Sequence, residues 1–304
     1  MATAVTAQSV KELREKTGAG MMDCKKALME ADGDMERAID ILREKGLSKA
    51  AKKADRVAAE GLVTIKTNED NSVAAIVEVN SETDFVAKNQ DFQVLVTDVA
   101  EMALDGNHGS LEELLSSMHK EGKALKDILN DRIATIGEKL DIRRFEKISS
   151  NGKVAGYVHG NGNIGVIVEL DTDSNDERVL SLGKDVAMQV AAMNPKYISR
   201  DDVDQEYIEH ETEILTQQAL NEGKPAAIVE KMVVGRLNKE LKEVSLLDQA
   251  FIKDSDLSVG ELVAKVAKEV GSDIKITRMV RFEVGEGLEK REENFADEVA
   301  KQLK

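Results

Sequence analysis

Aromatic residues and cysteine are scarce in this sequence. Among 304 residues there are 6 Phe, 3 Tyr and no Trp, so an aromatic side chain on the surface would be unusual. The single cysteine, Cys24, excludes an internal disulfide, which is typical of proteins from a reducing compartment. Because Cys24 lies in a helical apolar pattern, we expect a small core residue there, and a reactive nucleophile is the less favoured alternative.

The chain also lacks long apolar runs and an excess of positive charge. No run reaches about 18 apolar residues, so we expect no membrane span. Residues 1–8 show neither the basic and apolar regions of a secretory signal nor the arginines of a mitochondrial transit peptide. The net charge of -16 argues against nucleic acid as the main ligand, because phosphate backbones are bound by basic surfaces. These absences predict a cytoplasmic protein that binds neither membranes nor nucleic acid.

Motifs of catalysis and metal binding are missing as well. No HExxH, Walker A or Rossmann glycine pattern occurs, and Gly160–Gly162 is better explained as a hairpin turn. The four histidines, His108, His119, His159 and His210, show no ligand spacing. Acidic residues are numerous but scattered, which gives no basis for pairing two of them as a hydrolase would require. We therefore expect no enzyme, no bound metal and no cofactor.

Composition and hydrophobic periodicity predict an α+β protein. With 41% hydrophobic and 33% charged residues, the chain is globular, and its length suggests about two or three domains. Three short helices are predicted first, with Ser9 and Asp34 as N-caps and Gly46 as the residue that ends the third. From Gly61 onward, hairpins alternate with helices. The longer helices are predicted at roughly Asp91–Leu104 and at Leu125–Ile136, Glu177–Met193 and Val259–Val270.

Two stretches of the chain repeat the same order of hairpin, helix, further helix and closing strand. Ile76–Val79 matches Ile167–Leu170, and Asp98–Ala100 matches Asp185–Ala187. The segments between these two anchors are 18 residues long in the first copy and 14 in the second. The first copy therefore carries four extra residues, and we predict two related α+β half-domains.

The four extra residues fall in the segment that contains Thr83–Asn89. This heptad follows the apolar run Val73–Val79, which predicts a buried strand, so it lies where a strand passes into a loop. Phe85 could fold back into the core or contact another molecule. Because the second copy lacks the corresponding residues, the scaffold does not require them, and this comparison favours the contact.

Three other features point to contact surfaces. Met21 and Met22 are adjacent, and neighbouring helical positions point about 100° apart, so we do not expect both to be buried. Exposed methionine would give an adaptable contact surface, and the alternative is two ordinary core or boundary methionines. Residues 198–246 predict an antiparallel helical hairpin whose thin apolar seam leaves its other face for the core or a partner chain. Glu289–Leu303 predicts a final amphipathic helix.

Several motifs resemble those of one known family. They are Thr17–Leu28, Thr83–Asn89, Tyr157–Gly160, Gly235–Arg236, Ser245–Leu247 with Gln249 and Phe251, and Arg281–Gly287. The sequence resembles the bacterial elongation factor Ts family over essentially its whole length. Members of that family are guanine-nucleotide exchange factors for the GTPase elongation factor Tu.

The resemblance implies a role for each motif. The N-terminal helices resemble a ubiquitin-associated-like bundle that rests on the partner's GTPase domain, with Met21, Met22 and Lys25 as contacts. The residues that match the segment working near the partner's Mg²⁺ site are Thr83, Asp84, Phe85 and Val86. Phe85 would wedge between partner helices. Further positions that match partner contacts or support the interface are Ile136, His159 and Ile252.

The resemblance also implies a domain division. The sequence departs from the family pattern at two positions. The hairpin resembles a coiled-coil dimerisation element, although whether it forms a homodimer here stays open. Ala250 stands where proline is common, and Asn163 where a basic residue is frequent. The predicted segments are an N-terminal bundle and linker (1–58), a first half-domain (59–150), a second half-domain (151–197 plus 247–287), the inserted hairpin (198–246) and a C-terminal helical module (288–304).

Three functions remain to be compared. An exchange factor for elongation factor Tu predicts that GDP and this chain weaken each other's binding to the GTPase. A dimeric scaffold or chaperone-like binding protein predicts binding without any link to nucleotide. A hydrolase would need a pocket with raised carboxylate pKa values, which nothing in the sequence indicates. The family resemblance favours the exchange factor.

Overall fold

The structure is a computed structural model that describes residues 5–17 and 19–289 of an α+β protein. Gly18 and the predicted C-terminal helix at Glu289–Leu303 lie outside the described residues, apart from Glu289 itself. The α-helices found in the described part are α1 (Ala7–Thr17), α2 (Met21–Glu30), α3 (Met35–Ala51), α4 (Asp84–Ala87), α5 (Gln90–Asp105), α6 (Leu111–Ser116), α7 (Leu125–Ile136), α8 (Glu177–Met193), α9 (Gln205–Asn221), α10 (Ala226–Val244) and α11 (Val259–Val270). The strands there are β1 (Glu60–Thr67), β2 (Val73–Ser81), β3 (Leu140–Ser149), β4 (Lys153–His159), β5 (Ile164–Asp171), β6 (Ala250–Phe251), β7 (Asp254–Ser258) and β8 (Lys275–Glu283). The predicted bounds of α7, α8 and α11 are confirmed.

The first three helices pack around a small apolar core. Its buried residues are Val10, Leu13, Cys24, Ala27, Leu28, Ala31 and Ala38. Cys24 is therefore a core residue, as predicted, and burial raises the pKa of its thiol. The predicted start of α1 at Ser9 is wrong. Thr6 and Ser9 each donate a backbone N–H to the other's hydroxyl, at 3.0 and 3.1 Å, and this reciprocal capping starts the helix at Ala7.

Helix α3 continues past the glycine that was predicted to end it. Asp34 caps its start as predicted, because the Asp34 carboxylate accepts a hydrogen bond from Arg37 N at 2.9 Å. Gly46, however, lies inside the helix and is buried. A Cβ on Gly46 would stand 3.3 Å from the Cβ of Ala134 in α7, so this glycine permits a close approach of two helices and does not terminate one.

Two three-stranded sheets have the same topology, because in each the second of the three strands along the chain lies in the middle. The first follows the order β1-β2-β3, and the second follows β4-β5-β8. In the second, β4 and β5 are antiparallel with His159 opposite Ile164. The turn between them contains Gly160, Asn161 and Gly162 at φ 60°, 57° and 102°. These left-handed conformations confirm the predicted hairpin turn, because glycine and asparagine adopt them most readily.

Strand β2 is the central strand of the first sheet and holds a buried carboxylate, Glu78. Its two oxygens accept hydrogen bonds from Arg143 Nη1 at 3.0 Å, Arg144 Nε at 2.5 Å, Asn80 Nδ2 at 3.1 Å and Gly285 N at 2.8 Å. The pattern meets the rule that a buried charge is paired and hydrogen-bonded. This cluster joins β2 and β3 to the turn that follows β8.

The predicted helical hairpin is present as α9 and α10. Its own core is small and consists of Ala219, Val229 and Val233 with Leu215 packed against them. Four large apolar side chains of the hairpin remain exposed, namely Ile214, Leu220, Ile228 and Val234. The seam is therefore as thin as the sequence predicts, and much apolar surface lies outside it.

The chain forms two compact units. One combines the residues up to Thr64 with Val77–Phe145 and the segment from Glu283 onward, and the other combines Ile65–Ile76 with Glu146–Phe282. The division passes through strands of the first sheet. The five predicted segments stay a prediction. In the part of the chain that the structure describes, no helix is both long and apolar enough to cross a membrane.

Two helical glycines give a test of the packing in the second unit. A Cβ on Gly183 of α8 would stand 2.5 Å from Ala155 Cβ and 2.7 Å from Leu170 Cδ1, whereas one on Gly235 of α10 would meet nothing within 4 Å. We expect Gly183→Ala to lower the free energy of unfolding by about 1–3 kcal/mol through overpacking. Gly235→Ala should raise it by about 0.5–1 kcal/mol through helix propensity. Urea unfolding of both variants measures this, and an equal effect at the two sites would contradict the packing of α8 against β4 and β5.

Candidate functional site

The Thr83–Asn89 heptad forms one turn of helix and not the predicted loop. Helix α4 spans Asp84–Ala87, with Thr83 in extended conformation as its N-cap residue. Asn89 then caps α5, because its side-chain oxygen accepts hydrogen bonds from Asp91 N at 2.8 Å and Phe92 N at 3.2 Å. The heptad therefore joins the buried strand β2 to α5 by a short helix of its own, in the span where the first repeat has its four extra residues.

Helix α4 points one apolar side chain inward and the next outward. Val86 is 8% exposed and Phe85 is 78% exposed. Phe85 has the largest exposed fraction among the exposed large apolar side chains in the described residues. The alternative in which the ring folds back into the core is therefore wrong. A ring exposed to this extent contributes almost nothing to the core.

The carboxylate of Asp84 lies beside this ring and already has a cationic partner. Lys88 Nζ is 2.6 Å from Asp84 Oδ2 and 5.7 Å from the centre of the Phe85 ring. Both charged side chains are largely exposed, so the pair contributes at most about 1 kcal/mol. Asp84 can therefore exchange Lys88 for a group on another molecule at little cost.

Two carboxylates that the sequence analysis did not single out hold the start of α4. Glu138 accepts hydrogen bonds from Thr83 N at 3.0 Å and Thr83 Oγ1 at 2.8 Å. Glu82 accepts one from Lys139 N at 2.6 Å. Because Ile136 is the last residue of α7, two positions before Glu138, this contact brings the predicted Thr83 segment and the predicted Ile136 position together. Nothing in the sequence pattern links positions 55 residues apart.

The predicted contact residues of the N-terminal bundle lie on α2. Met21 is 59% exposed and Met22 is 62% exposed, so the alternative of two core methionines is wrong. Lys25 is also exposed, one turn further along the helix. Buried Cys24, Ala27 and Leu28 occupy the other side of α2. The three predicted residues thus form an apolar and cationic surface that does not take part in the bundle's own core.

The two remaining predicted residues belong to the second compact unit. His159 is exposed at the end of β4, where its Nδ1 lies 2.9 Å from Tyr157 Oη. Ile252 is 41% exposed in the turn between β6 and β7. Its backbone N–H donates to Oε1 of buried Gln189 at 2.8 Å, and Gln189 also donates to Ala250 O at 3.1 Å. A buried amide in α8 therefore fixes the turn that displays Ile252.

A cavity elsewhere in the first unit contains ionisable groups but no reactive arrangement. It has a volume of about 420 Å³ and is partly lined by Asp98 and His119, whose Oδ2 and Nε2 atoms are 3.1 Å apart. Asp98 is also bonded to Lys120 Nζ at 2.6 Å, so its charge is satisfied within the protein. In the described residues, no three His, Cys, Asp or Glu side chains are arranged to hold a metal ion.

Comparison with known proteins gives consistent matches, and those to individual relatives cover nearly the whole chain. The family model described as Elongation factor TS matches residues 82–286. Elongation factor Ts of Clostridioides difficile strain 630 is 71% identical over 300 residues, which cover 99% of each chain. The proteins of the same name from Clostridium acetobutylicum and Clostridium novyi are 54% and 55% identical, over 98% of this chain and 98% and 99% of their own.

Proposed function

Since the chain belongs to the elongation factor Ts family, we propose that it acts in translation elongation as the guanine-nucleotide exchange factor of elongation factor Tu. The observation that carries the mechanism is Phe85, a ring that is 78% exposed on a helical turn falling in the extra residues of the first repeat. In this function the chain forms and breaks no covalent bond and needs no cofactor, nucleic acid or membrane. The place of action is the cytoplasm.

Exchange follows from differential binding. The partner holds GDP through phosphate contacts and a bridging Mg²⁺, and a factor that binds the form without nucleotide and metal more tightly weakens both. The effect is reciprocal, so GDP must weaken binding of this chain by the same factor. A coupling of about 4 kcal/mol corresponds to about a thousandfold change in affinity. The contacts that matter are those made only in the opened state of the partner.

The α4 segment supplies such a contact. Phe85 enters a gap between partner helices that opens when the Mg²⁺ site is distorted, and Asp84 exchanges Lys88 for a group near that site. Val86 is buried and holds α4 against the core, while Thr83 fixes its start through Glu138. Thr83, Asp84, Phe85 and Val86 thus divide into two residues that act on the partner and two that hold them.

The other contacts extend the interface without entering the nucleotide site. Met21, Met22 and Lys25 dock the N-terminal ubiquitin-associated-like bundle on the partner's GTPase domain, where flexible methionines adapt to an apolar surface. Ile136 supports the α4 region from the end of α7. His159 and Ile252 contact the partner from the second unit. These contacts raise affinity, whereas Phe85 provides the differential effect.

The domain layout of the proposal follows the two repeated sheets. We assign residues 1–58 to the bundle and residues 59–150 and 151–197 with 247–287 to the two related half-domains. The C-terminal module proposed for 288–304 lies outside the described residues beyond Glu289. The hairpin of residues 198–246 joins two copies of the chain through its exposed apolar side chains, Ile214, Leu220, Ile228 and Val234. Sedimentation velocity tests the last point: Val234→Glu should shift a dimer to monomer, and an unchanged mass would exclude this surface.

The function is tested by release of a fluorescent GDP analogue from purified elongation factor Tu. Adding this chain together with excess unlabelled GDP should accelerate release by orders of magnitude, and added GDP should lower the affinity of the two proteins. On forming the complex, amide hydrogen exchange should slow around Met21–Lys25 and Thr83–Val86. Binding that is indifferent to GDP would favour the alternative of a dimeric scaffold or chaperone-like protein. Absence of binding would contradict both.

A further inference from the structure

We propose that Glu138 is a positioning residue for Phe85, and that it acts together with Glu82 as a latch of two crossed carboxylates. The inference rests on the proposed function, because it assigns Glu138 a role through the ring that acts on the partner. Glu138 does not itself belong to the α4 helix or to the contact surfaces described above. Its effect is exerted on Thr83, the residue from which α4 starts.

Each side of the latch donates a backbone N–H to the carboxylate of the other. Thr83 N and Oγ1 donate to Glu138 Oε2 and Oε1 at 3.0 and 2.8 Å, so both carboxylate oxygens are used. In return, Lys139 N donates to Glu82 Oε1 at 2.6 Å. Adjacent residues of the two segments are therefore bonded in opposite directions. This reciprocal arrangement opposes both sliding and separation of the two segments, which a single bond would not.

The latch supplies what α4 cannot supply itself. A helix of four residues is too short to be stable on its own. The hydroxyl of its N-cap residue, Thr83, makes no cap bond to the helix and instead donates to Glu138. The direction of the first helical residues, including Phe85, is thus fixed from outside the helix. Val86 on the inner side is the second point of attachment, since it is 8% exposed.

The same network reaches the segment that follows the N-terminal bundle. Arg56 Nη1 donates to Glu82 Oε1 at 3.2 Å, and Lys139 Nζ donates to Arg56 O at 2.9 Å. Lys53 Nζ donates to Gly137 O at 2.5 Å. Residues 53–56 and 137–139 are therefore bonded at two points, and Arg56 is bonded to Glu82 as well. These bonds connect the segment that follows the bundle of Met21 and Met22 to the residues that hold the start of α4. They therefore help to fix the position of Phe85 relative to the bundle.

Positioning has a kinetic consequence that simple stabilisation does not. If α4 samples several orientations, only the fraction with Phe85 correctly directed can engage the opened partner, and apparent activity falls by that fraction. Charge-assisted hydrogen bonds to a carboxylate are stronger than those to a neutral acceptor. Glu138→Gln keeps the size of the side chain but replaces one acceptor oxygen with an NH₂ group that cannot accept from Thr83. We expect it to reduce the rate of GDP release about tenfold.

The absence of tryptophan from the chain permits a direct measurement of the ring's mobility. In Phe85→Trp, the only indole reports on α4, and its fluorescence anisotropy should decay faster when Glu138→Gln is added. Thr83→Val, which removes only the hydroxyl bond, should move both readouts in the same direction by less. Glu121→Gln is the matched control, because Glu121 pairs with Arg132 at the surface of the same unit. It should leave both unchanged.

A double-variant comparison separates positioning from general stability. Glu138→Gln should have much less effect on GDP release when Phe85 is already alanine, because it acts mainly through the ring. Equal losses in the two backgrounds, or an anisotropy decay that Glu138→Gln leaves unchanged, would overturn the inference. If Phe85→Ala alone leaves release unchanged, the proposed wedge fails, whereas the anisotropy of the indole still decides whether Glu138 holds α4.

Discussion

Replacing Phe85 with alanine is expected to remove most of the acceleration of GDP release and to leave the fold intact. An aromatic anchor at the centre of an interface is typically worth at least about 2 kcal/mol, which corresponds to about a thirtyfold loss. The ring is 78% exposed in the free chain, so its removal forms no cavity. The rate of fluorescent GDP release at fixed concentrations of both proteins measures the loss, and circular dichroism with urea unfolding measures the fold.

A matched control is available in the same compact unit. Met118 is 71% exposed and lies outside the proposed contact residues, so Met118→Ala removes a similarly exposed apolar side chain. With this variant, elongation factor Tu should release GDP at the same rate as with the wild-type chain. The wedge is wrong if Phe85→Ala retains full activity, or if the two variants lose activity to the same degree. Phe85→Leu should fall between them, because leucine fills less of an aromatic gap.

The largest loss of stability is expected from Glu78→Ala. The carboxylate is fully buried in β2 and accepts hydrogen bonds from Arg143, Arg144, Asn80 and Gly285. Removing one partner of a buried ion pair leaves the other charge uncompensated and costs about 3–5 kcal/mol. The two arginine side chains are 23% and 30% exposed, so water takes over part of their solvation. The expected loss is therefore about 3 kcal/mol, the lower end of that range.

The internal repeat supplies the control for this variant. Glu169 occupies the position in β5 that matches Glu78 in β2, but it is only half-buried. Glu169→Ala should change the free energy of unfolding by less than about 1 kcal/mol. Urea unfolding followed by circular dichroism measures both. Similar losses in the two variants would show that the cluster of arginines and Gly285 around Glu78 contributes nothing particular.

The same cluster predicts how stability depends on pH. Burial raises the pKa of Glu78, but the hydrogen bonds from Gly285, Arg143, Arg144 and Asn80 outweigh it and leave the pKa below its ordinary value of 4.5. A carboxyl whose pKa is lower in the folded state stabilises the protein above its unfolded pKa. That contribution is lost as the pH falls through the lower, folded value. In Glu78→Ala the loss of stability on acidification should be correspondingly smaller.

Features written into short stretches of sequence were predictable, whereas those that depend on distant segments were not. The bounds of α8 and α11 follow from local caps, since Asp176 caps one and Ser258 with Glu261 caps the other. The end of α3 was predicted wrongly at Gly46, because that glycine allows a close approach to Ala134 in another helix. Exposure of Phe85 was predicted only because the second repeat lacks the corresponding residues.

The residues of the site that were not predicted from the sequence also depend on contacts between distant segments. Glu138 follows the residue that ends α7 and looks like an ordinary charged position before a strand. Its bond to Thr83 spans 55 residues, and no spacing or periodicity in a single sequence connects the two. Met21 and Met22 were the opposite case, because the geometry of one helix disfavours burying both side chains.

Because the bond between Thr83 and Glu138 spans 55 residues, it can form only some time after Thr83 has been synthesised. A growing chain emerges from the ribosome at about 5–20 residues per second, so Glu138 follows Thr83 after about 3 to 11 seconds. Until then the segment that carries the ring lacks its bond to Glu138. A nascent chain cut short before α7 should therefore accelerate GDP release from the partner less efficiently. The latch that positions the ring is therefore completed well after the ring itself has been synthesised.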